Sequence, residues 1–174
     1  MASVELSTKI NALLQELHHI NNEDPSLKSI VFSQWTTMLD LLEKPLKARG
    51  HQFVRLDGSM AQNHRQTAIE SFNTDPNIKI FLVSMKAGGL GLNLTCASRV
   101  FLLDPWWNPA TEDQAIDRVH RIQQTRSVIV YRFLIEGSIE VRIRELQEKK
   151  RTLAQGALGE VGGDKKKLSL EELK

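Results

Sequence analysis

The chain has 174 residues, 41% of them hydrophobic and 25% charged, with a formal net charge of +2. That length suits one domain with a sizeable core, and so small a net charge rests any case for nucleic acid on local placement rather than bulk attraction. A single cysteine, Cys96, excludes a disulfide framework and a cysteine-based zinc site, and fits a reducing intracellular compartment. No apolar run approaches the roughly 20 residues needed to span a membrane, and the start "MASVELSTKI" lacks the apolar core of a signal peptide. The abrupt end "LSLEELK" suggests a piece of a longer protein.

In chain order, a helical lead-in is expected over Ser3–Ile20. A strand follows at Ser29–Ser33, a helix at Thr37–Arg49, a strand at Gln52–Leu56, a helix at Gln62–Phe72 and a strand at Ile78–Ser84. Then come a strand at Ser98–Asp104, a helix at Thr111–Gln123, a strand at Ser127–Leu134 and an outer helix at Ser138–Gln155. Several strands are near-continuous in Val, Ile, Leu and Phe, the pattern of strands covered on both faces. Pro45 conflicts locally with its helix, and Gly50 reads as that helix's stop. The tail "GALGEVGGDKKK" is glycine-rich and charged, the composition of a mobile segment. Alternating strands and helices predict an α/β fold with a mainly parallel sheet. The domain division is 1–24 lead-in, 25–136 core, 137–156 outer helix and 157–174 tail.

Ligands meet such sheets at the loops leaving the carboxyl ends of the strands. Those loops carry "SQW", "LDGSM", "SMKAGGLGLNL" and "DPWWNPAT". In the helix after the last of these, at about 100° per residue, Gln114, Arg118 and Arg121 share one sector. Ala115, Val119 and Ile122 share a neighbouring one, which would pack on the sheet. Arginine suits a planar, bidentate grip on phosphoryl oxygens. The competing reading is an ordinary solvated face, with Glu112 and Asp117 as local partners. Gly88, Gly89 and Gly91 allow close backbone approach to an anion, or simply a tight turn. There is no G-x-x-x-x-G-K-S/T phosphate loop and no Asp-Glu pair ending a strand to hold Mg²⁺. Trp106 and Trp107 either pack as wall residues or present a stacking face to a nucleotide. His18, His19, His51, His64 and His120 lack zinc-site spacing, so no metal site is expected.

Together, "SIVFSQW", "RLDGSMAQNHRQTAIESFN", "IFLVSMKAGGLGLNL", "DPWWNPATEDQAIDRVHRIQQ" and "GSIEVRIRELQEKK" resemble the second lobe of Swi/Snf-type, DNA-translocating ATPases over Ser29 to Lys150. The lead-in "STKINALLQEL" and the ending point to the subgroup of helicase-like transcription factor and its yeast post-replication-repair relatives. The resemblance implies a RecA-like three-layer sandwich with flanking N-terminal and brace-like C-terminal helices. It implies arginine fingers at Arg118 and Arg121, and ATP contact from Gln114, Gly89 and Gly91. It also implies DNA contact or lobe-closure roles for Ser33, Gln34, Arg55, Asp57, Gly58, Ser84, Lys86, Trp107 and Asn108. ATP and Mg²⁺ would be held mainly by an absent first lobe, so this half of a DNA-dependent ATPase would be inactive alone. The implied partners are double-stranded DNA and that first lobe, with nucleosomes or ubiquitin-conjugation machinery as further candidates. The implied setting is nuclear, in chromatin remodelling or DNA repair. The alternative is a stand-alone DNA- or protein-binding module without motor activity. The family has glycine where this chain has Gln123, which would extend the helix or strain its final turn and leaves the orientation of Gln124 open.

Overall fold

A computed structural model describes residues 6–87 and 92–159. Its elements are α1 (Thr8–Glu23), β1 (Ser29–Ser33), α2 (Thr36–Ala48), β2 (Gln52–Leu56), α3 (Gln62–Thr74), β3 (Ile78–Ser84), β4 (Arg99–Leu102), α4 (Pro109–Asp117), β5 (Ile129–Arg132) and α5 (Ile139–Gly159). The five strands form one sheet in the order β2-β3-β1-β4-β5, and every pairing is parallel. The central strand β1 aligns Val31 with Leu82 on one side and with Phe101 on the other.

The strands alternate strictly, as a sheet covered on both faces must. Ile30, Phe32, Phe81, Val83, Val100 and Leu102 turn to one face, where Ala68 and Phe72 of α3 and Ala115 of α4 cover them. Val31, Ile80, Leu82, Phe101 and Leu103 turn to the other, against α1 and α2. The result is a three-layer α/β/α sandwich, as the sequence predicts. The lead-in helix belongs to a layer: Ile10, Leu13, Leu14, Leu17 and Ile20 of α1 are buried in the second core.

Local chemistry sets the helix ends. The Ser7 side chain caps α1 by accepting from the N–H of Ile10. Helix α2 runs through Pro45 without splitting. The carbonyl that loses its donor belongs to Leu41, which is exposed, so water can serve it. At the end of α2, Gly50 adopts φ 75°, His51 N–H donates to Leu46 O at 3.0 Å, and Gly50 N–H donates to Lys47 O at 3.0 Å. This is the Schellman pattern, and it is the stop expected at Gly50. Buried Lys28 ends α3 by donating to the carbonyls of Phe72 and Asp75.

Two edges of the expected strands retract, with β4 and β5 each four residues long. The largest correction concerns α4, which ends at Asp117 rather than Gln123. A continuing helix would pair the carbonyls of Arg118 and Val119 with the next turn's N–H groups. Those carbonyls have other donors here. Leu94 N–H reaches Arg118 O at 3.1 Å, and the Gln124 side-chain amide reaches Val119 O at 3.1 Å. Ile122, expected on the sheet, is therefore fully exposed, while Ala115 and Val119 are buried as expected.

Candidate functional site

The carboxyl ends of the parallel strands bring the singled-out loops to one edge. At the end of β1, buried Ser33 donates its hydroxyl to Asp104 Oδ2 and accepts from Trp35 N–H at 3.1 Å. The same Asp104 oxygen takes the Gln34 backbone N–H at 3.0 Å, and Gln34 Nε2 reaches Pro105 O at 3.4 Å. The "SQW" and "DPWW" loops are thus one hydrogen-bonded unit.

At the end of β2, the Arg55 guanidinium faces carboxylates. It pairs with Asp57 at 2.8 Å, Glu43 at 2.9 Å and Asp40 at 2.5 Å. Asp57 in turn accepts from the Ser59 hydroxyl at 2.6 Å and the Ser59 N–H at 2.9 Å, which shapes the turn at Gly58. Those Ser59 bonds, then the Arg55 contact, hold the Asp57 carboxyl below its ordinary pKa against the opposing effect of burial. Arg55 is therefore an organiser of this loop, with its Nε and Nη1 donors already paired.

At the end of β3, Ser84 is buried and Lys86 exposed, with the turn closed by Ala87 N–H on Ser84 O at 2.9 Å. Gly88, Gly89 and Gly91 lie outside the described residues. The loop's far side returns at Leu92–Leu94, and there it meets the arginine segment. Besides the backbone bond from Leu94 to Arg118, Asn93 Nδ2 donates to Gln123 Oε1 at 2.9 Å. Gln124 is turned inward, donating to Ala97 O at 2.7 Å and accepting from Arg126 N–H at 2.9 Å. Gln123 thus neither extends the helix nor displaces Gln124.

Gln114 is exposed on α4. Arg118 sits at its C-cap, half-buried, and its Nε is buried without a hydrogen-bond partner among the described residues. Arg121 lies beyond the helix, exposed beside an open depression of about 850 Å³ lined by Asn93, His120, Arg121, Ile122 and Gln123. The single helical sector expected for Gln114, Arg118 and Arg121 does not exist, because the helix stops between them. The 118–124 turn instead folds against Leu94 and Ala97, on the side of the strands' amino ends, where Ser98 N–H also meets Lys28 O, so the segment carrying both arginines leaves the carboxyl edge that gathers Ser33, Ser84 and Trp107.

At the end of β4, Trp107 is 57% exposed, while Trp106 is half-buried against the first core. Asn108 caps α4 by accepting from Ala110 N–H at 3.1 Å, and Pro109 occupies the first turn. Glu112 is not the arginines' partner. It is 1% exposed and accepts from Trp106 N–H at 2.9 Å and Gln147 Nε2 at 2.6 Å, with Arg132 Nε at 3.4 Å. Lys9, also missed by sequence reasoning, is buried, pairing with Glu140 at 2.5 Å and donating to Leu103 O at 2.6 Å. Only their positions in apolar surroundings hint at these buried polar contacts. Along α5, Ile139, Leu146 and Leu153 are exposed at seven-residue spacing, an apolar stripe that faces away from this domain.

A five-stranded parallel sheet between helical layers, with the segment after α4 packed on Leu94 and Ala97, defines a RecA-like lobe. The model of the helicase conserved C-terminal domain matches residues 8–123. The chain belongs to that family, on the Swi/Snf-type branch. It is 49% identical over 168 residues to DNA repair protein RAD5B of Arabidopsis thaliana, covering 97% of this chain and 13% of that protein. It is 50% identical over 173 residues to ATP-dependent helicase rhp16 of Schizosaccharomyces pombe, covering 99% of this chain and 20% of that protein. Human helicase-like transcription factor is 53% identical over 155 residues, or 88% of this chain and 15% of that protein. The chain thus spans a fifth or less of the length of these relatives. The crystal structure of the C-terminal part of the Fun30 ATPase domain superposes with a TM-score of 0.80 at 37% identity, covering 98% of this chain and 50% of that one.

Proposed function

We propose that this chain is the C-terminal motor lobe of an ATP-dependent double-stranded DNA translocase, and that its part in hydrolysis is to bring Arg118 and Arg121 to ATP bound on a first lobe. The observation that carries the reading is the packing of the 118–124 turn on Leu94 and Ala97, with a buried guanidinium donor of Arg118 left unpartnered among the described residues. Such a donor is costly to bury and suits an anion supplied by a partner. Exposed Arg121, a few residues on, supplies a second cation on the same edge.

In this reading Gln114, Arg118, Arg121, Gly89 and Gly91 meet the nucleotide. Bound Mg²⁺, which the family likeness assigns to the first lobe, supplies charge neutralisation at the phosphates. The chain's own residues orient and add positive charge where it develops. Arginine fingers of this kind contribute about 10³–10⁵ in rate, or roughly 4–7 kcal/mol of barrier. Because that contribution requires closure onto another lobe, the chain alone hydrolyses no ATP. The apolar stripe of α5 supports a brace that packs on the first lobe.

Lys86, Trp107 and Asn108 are exposed beyond the carboxyl ends of β3 and β4 and are proposed to meet duplex DNA. Ser33, Gln34 and Ser84 shape the backbone there. Arg55 enters as a support for its loop, since its guanidinium is already paired. Backbone contacts of this type are sequence-independent and salt-sensitive. A nuclear role in repair or remodelling follows from the same reading. The test is Arg121→Ala in the protein carrying both lobes. DNA-stimulated ATP turnover should fall by about 10³-fold or more with DNA affinity largely kept. Wild-type turnover would overturn the finger assignment.

A further inference from the structure

The tryptophan loop is held from behind by α5 through a buried polar junction that motor function as described does not use. Glu112 and Gln147 are the centre of it, and Gln147 is fully buried. The Gln147 amide donates to Glu112 Oε1 at 2.6 Å and to the carbonyl of Trp106. Glu112 Oε1 also takes the Trp106 N–H at 2.9 Å. One turn further along α5, Lys150 Nζ donates to Trp107 O at 3.2 Å, and Arg151 pairs with Asp113 at 2.7 Å. Residues 147, 150 and 151 share a helix face by their spacing. Both tryptophan carbonyls and the start of α4 are thus gripped by one face of α5. The first turn of α5 is anchored separately, through Glu140 and Lys9.

A buried carboxylate persists only where its hydrogen bonds are satisfied. Glu112 has that satisfaction from the loop backbone, from Arg132 of β5 and from α5 together, so moving α5 away strips it of one donor and loosens the loop. We infer that Glu112 and Gln147 are positioning residues that lock the Trp106–Trp107 loop to α5, so that load on Trp107 passes into α5 rather than bending the loop. The inference rests on the reading above, in which Trp107 meets DNA.

Hydrogen exchange on this chain tests the lock, and a triplex-displacement assay on the two-lobe protein tests its use. Gln147→Leu keeps the size but removes the donor. Exchange of the Trp106 amide should accelerate about 10- to 100-fold, and base pairs moved per ATP hydrolysed should fall more than ATP turnover does. Exposed Lys150→Met, which perturbs no buried group, should shift coupling in the same direction by less. Unchanged Trp106 exchange, or faster exchange with coupling intact, overturns the proposal and leaves the motor reading standing. A two-lobe protein without DNA-stimulated turnover overturns both.

Discussion

The backbone N–H of Leu94 donates to the carbonyl of Arg118 at 3.1 Å. With the Gln124 side chain on Val119 O, this bond ends α4, and it joins Leu94 to the segment carrying both arginines. A shift of Leu94 therefore displaces the C-cap of α4 directly. That link is made by backbone, which substitution of a surface side chain leaves in place.

The Gln124 amide stands in for the helix's next turn, so its loss should loosen the arginine segment. Gln124→Ala leaves Ala97 O and Val119 O without their side-chain donor. The expected cost is about 1–3 kcal/mol in chemical denaturation. DNA-stimulated turnover of the two-lobe protein should fall as well. Gln123→Gly, which removes only an exposed contact to Asn93, should cost under about 1 kcal/mol.

The isolated chain should bind duplex DNA weakly and hydrolyse no ATP. Its net charge is only +2, and the cations at the candidate edge are few. Fluorescence anisotropy with a duplex probe at rising salt would measure both affinity and salt slope. Tight, salt-tolerant binding would favour the stand-alone module instead.

Arg55→Ala should act on stability before it acts on DNA. It leaves Asp57, Asp40 and Glu43 without their shared cation. The expected loss is about 1–2 kcal/mol, discounted because Asp40 is largely exposed. The salt slope of DNA binding in the two-lobe protein should stay as it was. A slope smaller by about 1 would place Arg55 on a phosphate.

Acid should unfold the chain partly through two turns. Ser26 side-chain and backbone bonds, then Arg126, lower the Asp24 pKa from 3.8 to about 2, and Asp57 is lowered in the same direction by Ser59 and Arg55. A carboxyl depressed in the fold adds stability above its unfolded pKa and loses it as pH falls through the folded value. Melting temperature should therefore drop as pH goes from about 4 towards 2, and Asp57→Asn should flatten that drop.

Lys9→Met tests whether α1 is an integral layer. It removes the donor to Leu103 O and leaves Glu140 unpaired. A loss of about 3–5 kcal/mol is expected from breaking a buried pair on one side, read by urea denaturation. A near-neutral effect would mean that α1 is held by its apolar face alone.

Sequence alone determined the order of elements, the parallel covered sheet and the edge where Ser33, Ser84 and Trp107 gather. Those follow from hydrophobic period and from strand-end topology, both local or nearly so. It also carried the family, because blocks such as "DPWWNPATEDQAIDRVHRIQQ" are specific in their order. It did not determine that α4 stops at Asp117, that Ile122 points to water, or that Arg55 is enclosed by carboxylates. Nor did it locate the buried pairs Glu112–Gln147 and Lys9–Glu140, 35 and 131 residues apart. Helical periodicity ran unbroken through the 118–123 segment, and only the Leu94 amide and the Gln124 side chain, arriving from outside that ladder, could end it. Tertiary structure decides such points because a carbonyl or a buried charge accepts whichever donor the fold brings to it, and distance along the chain does not rank those donors.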